Sequence, residues 1–200
     1  LLGGEPLLHP DLLSVIEAAR RSGVSDGVRV VTNGVLLPRM KAELWRAVDE
    51  IRVSMYPGHE LSTEEADHCR RMAMQHGARL KVQSMPDFFE SYTALGTTDT
   101  ALVKRIYASC TIAHEWRCHL VTDGCFYKCP HSYFLAKSLK LSDSATPVDG
   151  IPISEDKGFR KRLLAYLESP KPLQACTYCL GTAGKRFPHE QVPRKEWTEP

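Results

Sequence analysis

The chain has 200 residues, 42% apolar and 25% charged, an ordinary globular composition that suffices for one sizeable core or two small ones and excludes fibrous, low-complexity and wholly disordered classes. Lysine and arginine number 26 against 24 acidic residues, a formal charge of +2, and the basic residues are scattered, so no nucleic-acid or membrane partner is expected. Apolar runs are short, and Leu1-Leu2-Gly3-Gly4-Glu5 lacks the charged start and apolar stretch of a signal peptide, so a soluble, cytoplasmic protein is expected. The chain starts without methionine inside what reads as a strand end, which raises the expectation of a fragment.

In chain order, Pro10 suits a first helical turn, Leu12, Ile16 and Ala19 recur on one face, and Gly23 supplies the stop. The branched run Val28 to Thr32 predicts a strand closed by Asn33-Gly34. A helix is predicted from Pro38, with Met40, Leu44, Ala47 and Val48 inward, and then Ile51, Val53 and Met55 alternate as a second strand that Pro57-Gly58 ends. Ser62-Thr63-Glu64-Glu65 is a capping box for a helix running to Gly77, followed by a strand over Arg79 to Met85. This alternation predicts βα units in a parallel sheet or barrel, where function collects at the carboxyl ends of strands. Between Met85 and Cys110 there is room for one helix, roughly Thr100 to Ala108, so a full eight-unit barrel does not fit.

The second half is built differently. Trp116 to Lys128 reads as two short strands around Asp123-Gly124, a two-residue hairpin turn, which places Thr122 opposite Cys125, Leu120 opposite Tyr127 and Cys118 opposite Cys129. Residues 138 to 156 are predicted to be a loop, Phe159 to Leu167 a short helix, and the basic tail after Gly184 peripheral.

Six of the seven cysteines lie between residues 110 and 179. In a reducing compartment that density favours metal or redox chemistry over disulfides. Cys176-x-x-Cys179 points two thiolates at one site and needs a second pair: Cys129 at the hairpin's exit, joined by Cys110 or by Cys118. Four such ligands hold zinc or a four-iron cluster, and spacing alone does not separate the two. Cys125 and Cys69 read as small buried residues. His9, His119, His131 and His189 are candidates for acid-base steps, although a lone histidine is more often surface or core.

Gly3-Gly4-Glu5-Pro6 sits at a strand's carboxyl end, where paired glycines let a backbone approach a ligand closely, although such a pair is more often only a turn. Leu2-Gly3-Gly4-Glu5-Pro6-Leu7-Leu8-His9-Pro10-Asp11-Leu12 resembles the motif after the second barrel strand of radical S-adenosylmethionine enzymes. Val31-Thr32-Asn33-Gly34 resembles the end of their third strand and Arg52-Val53-Ser54-Met55-Tyr56 their fourth. The second half is similar to the family's SPASM or shorter twitch extension, in which a cysteine precedes Gly-x-x-x-x-Cys by nine to fifteen residues and Cys-x-x-Cys follows after a long gap. Cys110, Gly124, Cys129, Cys176 and Cys179 satisfy it with thirteen residues between Cys110 and Gly124, whereas Cys118 leaves five.

The resemblance implies an α/β chain: a partial TIM-like (βα) barrel over 1–108, a cysteine-rich hairpin and helix domain of twitch type over 109–184, and a tail over 185–200. It implies S-adenosylmethionine as cofactor, with Gly3, Gly4, Glu5 and Pro6 toward the methionyl ammonium and Ser54, Thr32 and Asn33 toward ribose and carboxylate. It also implies one auxiliary 4Fe-4S cluster on Cys110, Cys129, Cys176 and Cys179. The family's catalytic Cys-x-x-x-Cys-x-x-Cys, which belongs upstream of Gly3, does not occur in this sequence, nor do the later cysteines of a full SPASM domain. The chain is therefore expected to be an inactive fragment of an enzyme that abstracts substrate hydrogen through a 5′-deoxyadenosyl radical. Four cysteines would saturate the auxiliary cluster, which favours electron transfer and an oxidative outcome, a dehydrogenation or peptide modification. A small-molecule or peptide substrate and a one-electron donor such as flavodoxin or ferredoxin follow as partners. The competing class is a zinc-stabilised, non-catalytic binding or scaffold module on the same four cysteines; a degenerate relative that binds neither S-adenosylmethionine nor the catalytic cluster is a third.

Overall fold

A computed structural model describes residues 1–23, 25–141 and 148–190. The chain divides into two compact units, the first made of Leu1–Phe88 with Pro188–Glu190, the second of Phe89–Phe187. No helix among the described residues is long and apolar enough to cross a membrane.

In the first unit a 3-10 turn (Pro6–Leu8) leads into α1 (Leu12–Arg21), then β1 (Arg29–Thr32), a 3-10 turn (Leu37–Arg39), α2 (Ala42–Ala47), β2 (Glu50–Met55), α3 (Thr63–His76) and β3 (Arg79–Ser84). The strands form one parallel sheet in the order β1-β2-β3, with Val30 beside Ile51 and Ile51 beside Leu80. The helix predicted from Pro38 is split: Pro38 lies in the 3-10 turn, Met40 is extended, and α2 starts at Ala42. The Val31 N–H donates to the Leu1 carbonyl at 2.9 Å and the Leu1 amine to the Arg29 carbonyl, so the first residues run along the β1 edge. The described sheet has three parallel strands in an α/β arrangement, and no barrel closure is shown.

Alternation gives the sheet two distinct faces. Val30, Ile51 and Val53 are fully buried with Ile16 of α1, Trp45 of α2 and Cys69 of α3, and Leu12 and Ala19 pack against them, so α1 turns its predicted stripe inward. The other face carries Arg29, Glu50, Arg52, Ser54 and Lys81. There the buried Glu50 carboxylate pairs with Arg29 at 2.6 Å and Arg52 at 3.3 Å. The Ser62 hydroxyl accepts from the Glu65 N–H and the Glu65 carboxylate from the Ser62 N–H, the predicted capping box.

The second unit begins after Phe88, earlier than residue 108. Elements missing from the sequence reading account for much of its architecture: β4 (Asp87–Phe89), α5 (Thr111–His114), α6 (Pro130–Ser138), β7 (Gly150–Pro152) and β8 (Arg186–Pro188). After β4 come α4 (Thr100–Ala108) and α5 (Thr111–His114). Tyr107 of α4 lies in the same apolar cluster as Cys110, Ile112 and Cys129, which ties α4 to the second unit. The hairpin of β5 (Leu120–Thr122) and β6 (Cys125–Tyr127) has the predicted register, Leu120 with Tyr127 and Thr122 with Cys125. Asp123 and Gly124 both take the positive φ that this turn demands. The pairing stops at Leu120 and Tyr127, so Cys118 does not face Cys129 across the ladder; Cys129 instead caps α6 (Pro130–Ser138). Within the predicted 138–156 loop, β7 (Gly150–Pro152) joins β6 as a third antiparallel strand, and residues 142–147 lie outside the described residues. Next come α7 (Phe159–Glu168), a 3-10 turn (Gln174–Thr177) and β8 (Arg186–Pro188), which pairs with β4 and so gives the start of the predicted tail regular structure.

A methyl group on Gly34 would stand 2.7 Å from the Val53 Cγ1 atom, on a backbone with φ of +86°. We expect Gly34→Ala to lower stability by about 2 kcal/mol. A urea midpoint equal to that of the parent would contradict this strand-end geometry.

Candidate functional site

Cys110, Cys129, Cys176 and Cys179 line one cavity in the second unit, together with Tyr107, His131 and Gly181. Each thiol arrives on a defined local structure. Cys110 precedes α5, and its N–H donates to the Tyr107 carbonyl at 3.1 Å. Cys129 caps α6, with the Ser132 hydroxyl donating to its carbonyl at 2.7 Å. Cys176 lies in the last 3-10 turn, and the Cys179 N–H donates to the Ala175 carbonyl at 3.0 Å. Gly181 closes the wall. Its N–H donates to the Cys179 sulfur at 3.3 Å, and a Cβ there would press on the Cys110 sulfur at the same distance.

The thiols sense one another. Burial pushes Cys176 up to about 12, with further contributions from Cys179 and Cys129, and pushes Cys179 up to about 11, with contributions from Cys129 and Cys110. Burial also raises Cys129, which hydrogen bonds from Ser132 partly offset. Such thiols stay protonated at neutral pH unless something takes the place of the protons. Among the described residues no group of three or more His, Cys, Asp or Glu side chains is gathered so as to hold a single metal ion. Four sulfur donors standing around a shared cavity fit a larger, thiophilic group.

The other cysteines are elsewhere. Cys69 is fully buried in the first unit, its thiol pushed up to about 11 by burial, and Cys125 is buried in β6. Cys118 is half-buried against the cluster of Cys110 and Cys129 and does not line the cavity.

Three residues that sequence reasoning missed hold this site. The buried Asp149 carboxylate accepts from the Gln174 and Ala175 N–H groups, each at 2.7 Å, and so fixes the turn that carries Cys176. The Tyr166 hydroxyl accepts from the Lys128 N–H at 2.8 Å and donates to the Asp149 carbonyl at 2.6 Å. The Lys128 ammonium donates to the Tyr107 hydroxyl at 2.5 Å and to the Ser169 carbonyl at 3.0 Å. None of these partners is a sequence neighbour, so no motif announces them.

In the first unit the strand-end residues form a second constellation. The Glu5 carboxylate accepts from the Thr32 hydroxyl at 2.7 Å, the Asn33 N–H at 2.8 Å and the Leu7 N–H at 3.0 Å. Thr32 is 2% exposed and also accepts from the Gly34 N–H, so its hydroxyl is occupied within the chain. Asn33 accepts from the Val35 N–H, and Pro6 is buried in the 3-10 turn. Gly3 and Gly4 are exposed, both with positive φ and with open space where a Cβ would stand, which leaves their backbone accessible. Ser54 follows Val53, the register partner of Thr32, and so points to the opposite face of the sheet from Thr32. Of the four histidines considered, His131 alone lines the thiol cavity. His119 bonds the Lys128 carbonyl, His9 bonds the Asp11 N–H, and His189 stacks on Tyr56.

Two outcomes follow. Asp149→Asn leaves one backbone N–H of the Cys176 turn without its carboxylate acceptor and should lower stability by about 1–3 kcal/mol, read from a urea melt. Metal uptake should rise with pH between about 6.5 and about 8.5, because the protonated thiols must release protons to ligate. Uptake independent of pH across that window would contradict thiol ligation.

No family model matches the chain. A stretch of 57 residues is 37% identical to the probable GTP 3′,8-cyclase of Thermoplasma volcanium, covering 28% of this chain and 17% of that protein. The chain thus spans under a fifth of that relative, and the match is distant and partial.

Proposed function

We propose that the second unit holds one auxiliary 4Fe-4S cluster on Cys110, Cys129, Cys176 and Cys179, and that the chain is part of a radical S-adenosylmethionine enzyme. The observation that carries this reading is the meeting of four thiols from separate stretches of chain around one cavity. The partial match to a probable GTP 3′,8-cyclase supports the assignment of enzyme family. The reaction best suited to it is hydrogen removal from a small-molecule or peptide substrate, ending in oxidation.

When bound, the cluster supplies one-electron transfer. The chain's own residues do the rest. Four thiolates fill the ligand positions and leave none for substrate. Ile106, Ala113 and Leu173 line the same cavity and limit water, which keeps the local dielectric low. The Gly181 N–H donates to the Cys179 sulfur and stabilises negative charge on it. In the first unit, Gly3 and Gly4 offer open backbone for the methionyl end of S-adenosylmethionine. Glu5, braced by Thr32 and Asn33, fixes that loop's shape, and Ser54 would reach the ribose only from the other face of the sheet. Flavodoxin or ferredoxin fits as the electron donor.

Anaerobic reconstitution with iron and sulfide should give a brown protein with about four irons per chain. Cys179→Ser should lose that iron and Cys69→Ser should keep it, because Cys69 is buried in the other unit. A colourless protein carrying one zinc, or full iron in Cys179→Ser, would overturn the reading.

A further inference from the structure

Lys128 is the unexplained charge of the second unit. It is 3% exposed, and its ammonium donates only to neutral groups, the Tyr107 hydroxyl and the Ser169 carbonyl. It also sits over the Tyr107 ring, 5.2 Å from the centroid. Among the described residues no carboxylate forms an ion pair with it. Burying an ammonium without an opposite charge is strongly unfavourable. The thiol cavity adjoins it: Tyr107 lines that cavity, and Cys129, which also lines it, is the next residue.

We propose that Lys128 is the counter-charge of the thiol cavity and raises the reduction potential of the cluster held there. This rests on the cluster reading above. Reduction adds one electron to the cluster, with dithionite as the donor in the test, and no bond or proton changes place. Because the reduced form carries one more negative charge, a fixed cation beside it stabilises that form more than the oxidised one. Lys128 acts through the field at the cluster and through its bond to Tyr107, and no contact with substrate is required of it.

The test is a dithionite potentiometric titration, followed by electron paramagnetic resonance, of reconstituted wild-type protein, Lys128→Met and Lys128→Arg, with iron and sulfide counted in each. The methionine variant keeps an unbranched stem in the same slot without the charge. Its cluster should be at least tenfold harder to reduce, a downward shift of about 59 mV or more for a one-electron couple. The arginine variant should recover most of that shift. Iron loading in the arginine variant with none in the methionine variant also supports the counter-charge. A methionine variant with full iron and the wild-type potential overturns the proposal, as does equal loss of iron from both variants. Since the charge is a burden to the empty protein, Lys128→Met without metal should melt no lower than the wild type, and failure of that variant to fold counts against the proposal. Absence of iron from the wild-type protein would overturn the cluster reading itself.

Discussion

The second unit's site depends on four thiols that share one cavity, three of them on buried cysteines, and burial keeps them protonated unless something takes the place of the protons. Burial raises Cys129 and pushes Cys176 up to about 12 and Cys179 up to about 11, and neighbouring thiols raise all three further. The surrounding structure nevertheless brings them together. The α4 helix ends just before Cys110, the hairpin delivers Cys129 to the start of α6, and a 3-10 turn presents Cys176 and Cys179. Ligation by the proposed cluster would stabilise the thiolates that burial alone disfavours.

A hydrogen-bonded polar frame lies behind the thiols. Asp149 grips the N–H groups of the Cys176 turn, Tyr166 links Asp149 to Lys128, and Lys128 reaches Tyr107 on the cavity wall. Buried networks of this kind are favourable only when every member is satisfied. Here the buried Asp149 carboxylate and the Lys128 ammonium are each hydrogen-bonded to neutral groups. The first unit uses its carboxylates differently: the buried Glu50 is surrounded by cations, and the half-buried Glu5 is spent on backbone and hydroxyl donors at the strand ends.

Local signals were legible and long-range ones were not. The capping box at Ser62 and Glu65, the Asp123-Gly124 turn, the three parallel strands and the inward stripe of α1 could all be read because each is written within a few residues. The short strand β7 contains glycine and proline and shows no alternation, so its pairing with β6 left no mark in the pattern. The α6 helix buries only Ser132 and Leu135 fully, too narrow a stripe to stand out. Cysteine spacing favoured Cys110 over Cys118, and Cys110 is the one of the two that lines the cavity. Asp149 and Lys128 act on partners more than twenty residues away, which no local pattern encodes. Of the expected partial barrel, the described sheet shows three parallel strands and no closure.

The central claim is that four cysteine sulfurs of this chain and no other protein group ligate the iron. X-ray absorption at the iron edge of the anaerobically reconstituted protein measures this most directly. The account predicts sulfur alone in the first coordination shell, with an iron neighbour beyond it, unchanged when S-adenosylmethionine is added. Nitrogen or oxygen in that shell, or iron without an iron neighbour, would contradict it.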